Sequence, residues 1–140
     1  MNFKKSYRNF CLLTGSCPLH CIEANLVNCV LSFKFFRIPV SEWNPILSTL
    51  NCDITLKKIC VIIDVDFTIN NPTHQQKLKH LTSFIESLCV HLKNNQSLLE
   101  LKLVGLPLSR TNVEHLAKVY YEIFLLILFV VTVISLYREY

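Results

Sequence analysis

Apolar and polar residues alternate in three short stretches: Leu31-Ser32-Phe33, Ile59-Cys60-Val61 and Leu101-Lys102-Leu103. Such alternation marks a strand with one buried side. The first two stretches lie 28 residues apart and the second and third 42. Around the third, Leu98, Leu101 and Leu103 form an L-x-x-L-x-L pattern, and Leu106 and Leu108 extend it inward. An offset of 28 residues falls in the range of roughly 20–29 expected of leucine-rich repeats. The further excess before the third strand assigns Thr68 to Gln76, a polar stretch, to an insertion.

Between the strands the period changes to that of a helix. Trp43, Ile46, Leu47 and Leu50 share one helical face, with Ser41 as the expected N-cap and Pro45 in the first turn. Leu78, Leu81, Phe84, Ile85, Leu88 and Leu92 continue the pattern up to a stop at Lys93-Asn94-Asn95. Ser109 to Thr111 leads into a third helix near Asn112, with Val113, Leu116 and Tyr120 on its apolar stripe. A single strand-helix unit cannot bury its own apolar side, so such units must stack. The pattern predicts an α/β leucine-rich-repeat solenoid of about three repeats. An ordinary α/β domain with coincidental leucines is the alternative. The expected divisions are an N-terminal helical cap over 1–29, repeats over 30–119 and an apolar tail over 120–140, read as a C-terminal helix.

The tail runs from Ile123 to Tyr137 without a charge, a stretch of 15 residues. A membrane-spanning helix needs about 20. Three readings stay open: an unselected ending, an element capping the stack, or a membrane anchor. At the N-terminus, Lys4-Lys5 precede Phe10-Cys11-Leu12-Leu13, which Thr14-Gly15-Ser16 break before a signal-peptide core could form. That segment is expected to be a short capping helix. Asn95-Gln96-Ser97 has the glycosylation pattern, which matters only on secretion.

From Tyr7 the chain carries Cys11, Leu13, Pro18-Leu19, Ala24, Leu26, Val30-Leu31 and Phe33 in an order that resembles the centrosomal protein of 78 kDa family. The likeness continues at Trp43, Pro45 and Leu47 to Leu50, which look like that family's W-x-P-L-L-S-T-L segment. It returns at Leu88-Cys89, Leu92, Leu101, Leu103, Gly105-Leu106, Leu108 and Leu116-Ala117-Lys118, and stops near Val119. Leu106 stands where generic repeats carry Asn or Cys, as in the family's G-L-x-L variant. The resemblance implies a non-enzymatic cytoplasmic scaffold at the centrosome, centriole and ciliary base. It further implies a role in cilium assembly and centriole regulation. The implied partners are centriolar proteins, among them the Vpr-binding subunit of a ubiquitin-ligase assembly. The family continues into further repeats and a coiled coil where this chain turns to its apolar tail. The alternative is a small membrane-associated leucine-rich protein held by that tail.

Composition narrows the chemistry. One domain is the default for 140 residues. A hydrophobic share of 51% is high, and the tail supplies part of it. With two glycines there is little material for a phosphate-cradling loop. The net charge of +4 is spread over Lys4-Lys5, Lys57-Lys58 and Lys77/Lys79, which argues against nucleic-acid binding. Seven cysteines, an odd number, do not read as a disulfide framework and behave as small apolar residues in the cytosol. Cys17, His20, Cys21 and Cys11 could hold zinc, but they lack paired C-x-x-C spacing. Asp64 and Asp66 point to one side of an extended chain and could meet a cation, although solvated turn carboxylates are the simpler reading. His20, His74, His80, His91 and His115 are scattered with no nucleophile in register. No catalytic residue, metal or cofactor is expected.

In repeat strands the residues between the inward-pointing ones line the open face of the sheet, where solenoids bind partners. That rule nominates Ser32, Lys34, Lys58, Cys60, Ile62, Glu100, Lys102 and Val104 as protein-binding residues. Charge reversal at Lys58 and Lys102 together is expected to weaken a complex and leave thermal stability almost unchanged.

Overall fold

A computed structural model describes residues 2–63, 71–124 and 130–134, with side chains placed for 2–63 and 71–122. Helix α1 (Phe3–Thr14) opens on Asn2, whose side chain accepts from the Lys5 amide at 2.9 Å. It closes on Gly15 in the left-handed region. Phe3, Tyr7 and Cys11 form its buried stripe, whereas Leu12 and Leu13 are exposed. The expected capping helix is therefore longer than its apolar segment, and that segment contributes Cys11 to the core. A short helix, α2 (His20–Glu23), follows, tied to α1 by an Arg8–Glu23 ion pair of 2.6 Å.

Strand β1 (Val30–Lys34) buries Leu31 and Phe33. Helix α3 (Trp43–Cys52) then buries Trp43, Ile46 and Leu50. It starts after Glu42 rather than at the expected cap Ser41, which lies in a 3-10 turn over Val40–Glu42. Strand β2 (Lys58–Ile62) buries Ile59 and Val61.

A helix, α4 (Pro72–Leu78), begins inside the expected insertion and runs past its end at Gln76, so that Leu78 belongs to it and not to the helix expected to carry Leu78 through Leu92. Asn71 caps it by accepting from the Thr73 and His74 amides, and Pro72 occupies its first turn, where a missing N–H costs nothing. Helix α5 (Leu81–Asn94) follows, then strand β3 (Glu100–Val104), which buries Leu101 and Leu103. Helix α6 (Arg110–Phe124) begins with the Ser109 hydroxyl accepting from the Asn112 amide at 3.1 Å.

The tail departs from the helix expected for it. Val130–Ile134 is a strand, β4, and α6 itself extends past the expected boundary at residue 120. Five successive β-branched residues explain the change, because their stiff side chains suit a pleated sheet better than a helix.

The four strands form one parallel sheet in chain order, β1-β2-β3-β4. Leu31 pairs with Ile59, Ile59 with Leu101, and Leu101 with Val131. Parallel neighbours need a crossover, and here each crossover is helical. Helices α1, α3, α5 and α6 pack successively against one another. Their apolar stripes and the inward residues of β1–β3 form one core, centred on Phe33, Phe35, Trp43 and Phe84.

Gly105 ends β3 at φ +72°, and a Cβ there would meet the Ile63 carbonyl oxygen at 3.0 Å. Both the left-handed backbone and the close approach require glycine at this point.

Candidate interaction face

The face of β1–β3 opposite the helices is built by every second strand residue. Ser32, Lys34, Cys60, Ile62, Glu100 and Val104 are half-buried there, and Lys58 and Lys102 are exposed. Strand register sorts them into rows. Lys58 lies beside Glu100, Ser32 beside Cys60 and Cys60 beside Lys102, and Lys34 beside Ile62 and Ile62 beside Val104. One end of the patch is therefore charged and the other largely apolar.

The charged row is organised around one carboxylate. Glu100 Oε1 lies 2.8 Å from Lys102 Nζ, and its Oε2 lies 3.3 Å from Lys58 Nζ. Hydrogen bonds from Lys102 and then Lys58 hold the Glu100 carboxyl below the usual range, and Glu100 raises Lys102 in return. Both ammoniums meet on Glu100, Lys102 from two residues along β3 and Lys58 across the parallel register from β2. Charge reversal of both would set three carboxylates together, so it would lower stability as well as binding. Neutral substitutions test the face more cleanly.

A second constellation escaped the sequence reading. Asp53 and Asn95 each stand six residues before the first inward residue of a strand, Ile59 and Leu101. Each folds the chain into a turn: Asp53 accepts from the Thr55 and Leu56 amides, and Asn95 Oδ1 from the Ser97 amide at 2.8 Å. His91 joins them across the core. Its Nδ1 donates to the Leu50 carbonyl at 3.2 Å, its Nε2 accepts from Asn95 Nδ2 at 2.9 Å, and Asp53 Oδ2 lies 4.0 Å from Nδ1. Asn95 Nδ2 also donates to the Leu56 carbonyl at 2.8 Å. Burial drops the His91 imidazole below its ordinary value, with Asp53 opposing that shift. This is a structural network that fastens one turn to the next. The recurring Asx at a fixed distance before each strand was the available signal.

The remaining chemistry is dispersed. Cys11 is fully buried on the core face of α1, Cys21 is half-buried and Cys17 is exposed. Among the described residues no three His, Cys, Asp or Glu side chains converge to hold a metal. Burial raises the Cys11 thiol and pushes Cys89 up to about 11, which leaves both as thiols near neutrality. His74 stacks on Phe36 and His80 on Trp43. Asp64 and Asp66 lie outside the described residues. An apolar cleft of about 330 Å³ lies between α5, β3 and α6, lined by Leu92, Leu101, Leu108, Val113, Leu116, Ala117 and Tyr120. Among the described residues no helix is long and apolar enough to cross a membrane. Residues 125–129 and 135–140 of the tail lie outside that description.

No family model matches the chain, and no solved structure matches it. Over 61 residues it is 34% identical to the centrosomal protein of 78 kDa from Xenopus tropicalis. The matched stretch is 44% of this chain and 8% of that relative, so the chain spans a small part of the relative's length.

Proposed function

We propose that the chain is a leucine-rich-repeat scaffold acting at the centrosome, binding protein partners through the open face of its sheet. The observation that carries the address is the 61-residue likeness to the centrosomal protein of 78 kDa. The repeat reading draws support from the parallel strands in chain order and the common register of Leu31, Ile59 and Leu101. A scaffold role fits the broad half-buried face that the outward residues of β1–β3 offer. On this reading the partners are centriolar proteins, and the Vpr-binding subunit of a ubiquitin-ligase assembly is one to test.

Imaging the tagged chain in ciliated cells against a centriole marker is the direct test. Foci on the marker are expected, and a diffuse signal overturns the centrosomal address. Cys60→Trp, which places bulk in the middle of the open face, should disperse the foci while the far-UV spectrum stays unchanged. Foci that survive this substitution would remove the sheet face as the docking surface.

A further inference from the structure

We infer that the open face takes an acidic, extended segment of a partner protein, and that Glu100 holds the place of the incoming carboxylate in the free protein. This inference rests on the docking-face reading above and specifies what docks there. Among the described residues, the charged end of the β1–β3 face sets two ammoniums, Lys58 and Lys102, against one carboxylate, Glu100. Its charge therefore favours an acidic partner.

The geometry is more specific than the charge count. Lys58 and Lys102 approach the same side chain from adjacent strands, and each remains about half exposed, at 54% and 49%. An ammonium has three donors, so each can turn part of its hydrogen bonding from Glu100 to a second acceptor. An incoming carboxylate that meets both lysines weakens their hold on Glu100. The internal ion pairs thus compete with the partner, and they keep the two ammoniums positioned until it arrives. Beside Lys102, Ser32 and Cys60 present small side chains, and in the next row Ile62 and Val104 are half-buried apolar residues next to Lys34. Rows on one face of a sheet follow every second residue. An extended segment lying along β2 and β3 can therefore set an acidic residue at Lys58 and Lys102 and an apolar residue over Ile62 and Val104. A basic or fully apolar segment would leave one end of the patch unmatched.

The test uses the full chain, labelled with nitrogen-15, and a synthetic peptide alternating glutamate and leucine. A lysine–leucine peptide of the same length is the comparison. The glutamate peptide should shift the amides of Ser32, Cys60 and Lys102, with affinity that falls as salt rises. Lys58→Gln with Lys102→Gln should weaken it several-fold, at roughly two- to fivefold per exposed charge. Glu100→Gln should strengthen it by about the same factor, because the internal competitor is lost. Equal binding of both peptides on this face would overturn the acidic preference and leave the docking face standing. An affinity unchanged by Glu100→Gln would overturn the placeholder role. Shifts confined to another surface would overturn both the inference and the face itself. The centrosomal address is decided separately, by imaging.

Discussion

The two sides of the same three strands have opposite designs. On the inner side, Leu31, Phe33, Ile59, Val61, Leu101 and Leu103 are buried against helices. On the outer side, one residue away in each case, Ser32, Cys60 and Lys102 remain half-buried or exposed. A strand alternates its side chains, so each residue serves either packing or the open face. On the proposed reading, packing and recognition fall largely to different residues of the same strands.

The largest expected contrast is at Leu101. Leu101→Ala should cost about 3 kcal/mol, from lost burial plus the space left behind, and chemical denaturation would read it. A loss under 1 kcal/mol would mean that the inner face is not the source of stability.

The turn network is the next test, because it joins the strand ends without belonging to either face. Asn95→Ala strips a donor from the Leu56 carbonyl and from His91 Nε2, and an acceptor from the Ser97 amide. The expected cost is about 2 kcal/mol, since buried groups are left unpaired. A neutral result would show that helix packing holds the strands in register without the turn network.

His91 adds a pH dependence of known sign. Its pKa in the folded chain lies below the ordinary value, so between the two values the unfolded chain binds a proton that the folded chain refuses. Stability at neutral pH is therefore lost as pH falls below about 6.5, with a slope of at most about 1.4 kcal/mol per pH unit. Denaturation midpoints between pH 7 and 5 should show the slope, and His91→Gln should flatten it. An equal slope in the variant would assign the acid sensitivity to other groups.

Ser32→Ala on the outer face gives the smallest effect. Its expected change in stability is within about 0.5 kcal/mol, as for surface positions generally. A cost comparable to that at Leu101 would erase the contrast between the two sides.

Much of the architecture was legible because burial leaves a period in the sequence. Alternation located β1, β2 and β3, and the stripes at Trp43, Phe84 and Leu116 located the crossover helices. The tail was not legible in the same way. A continuous apolar run has no period to separate helix from strand, and the strand at Val130–Ile134 follows from its β-branched residues together with the edge that β3 offers. Helix α4 was hidden inside a polar stretch, although Asn71-Pro72 is a helix-start signal.

The candidate face divides along the same line. Alternation alone chose its eight residues, because the outward positions of a strand are fixed once the inward ones are known. It could not show that Glu100 sits between Lys58 and Lys102, since Lys58 and Glu100 are far apart in the chain and meet only across parallel register. Nor could it place His91 between Leu50 and Asn95, a contact made by packing α5 against the end of α3. The sequence by itself determined which residues turn inward, because hydrophobic periodicity is a local property. Tertiary structure decided which charges pair and which turns are fastened together, because those interactions depend on distances that only stacking creates.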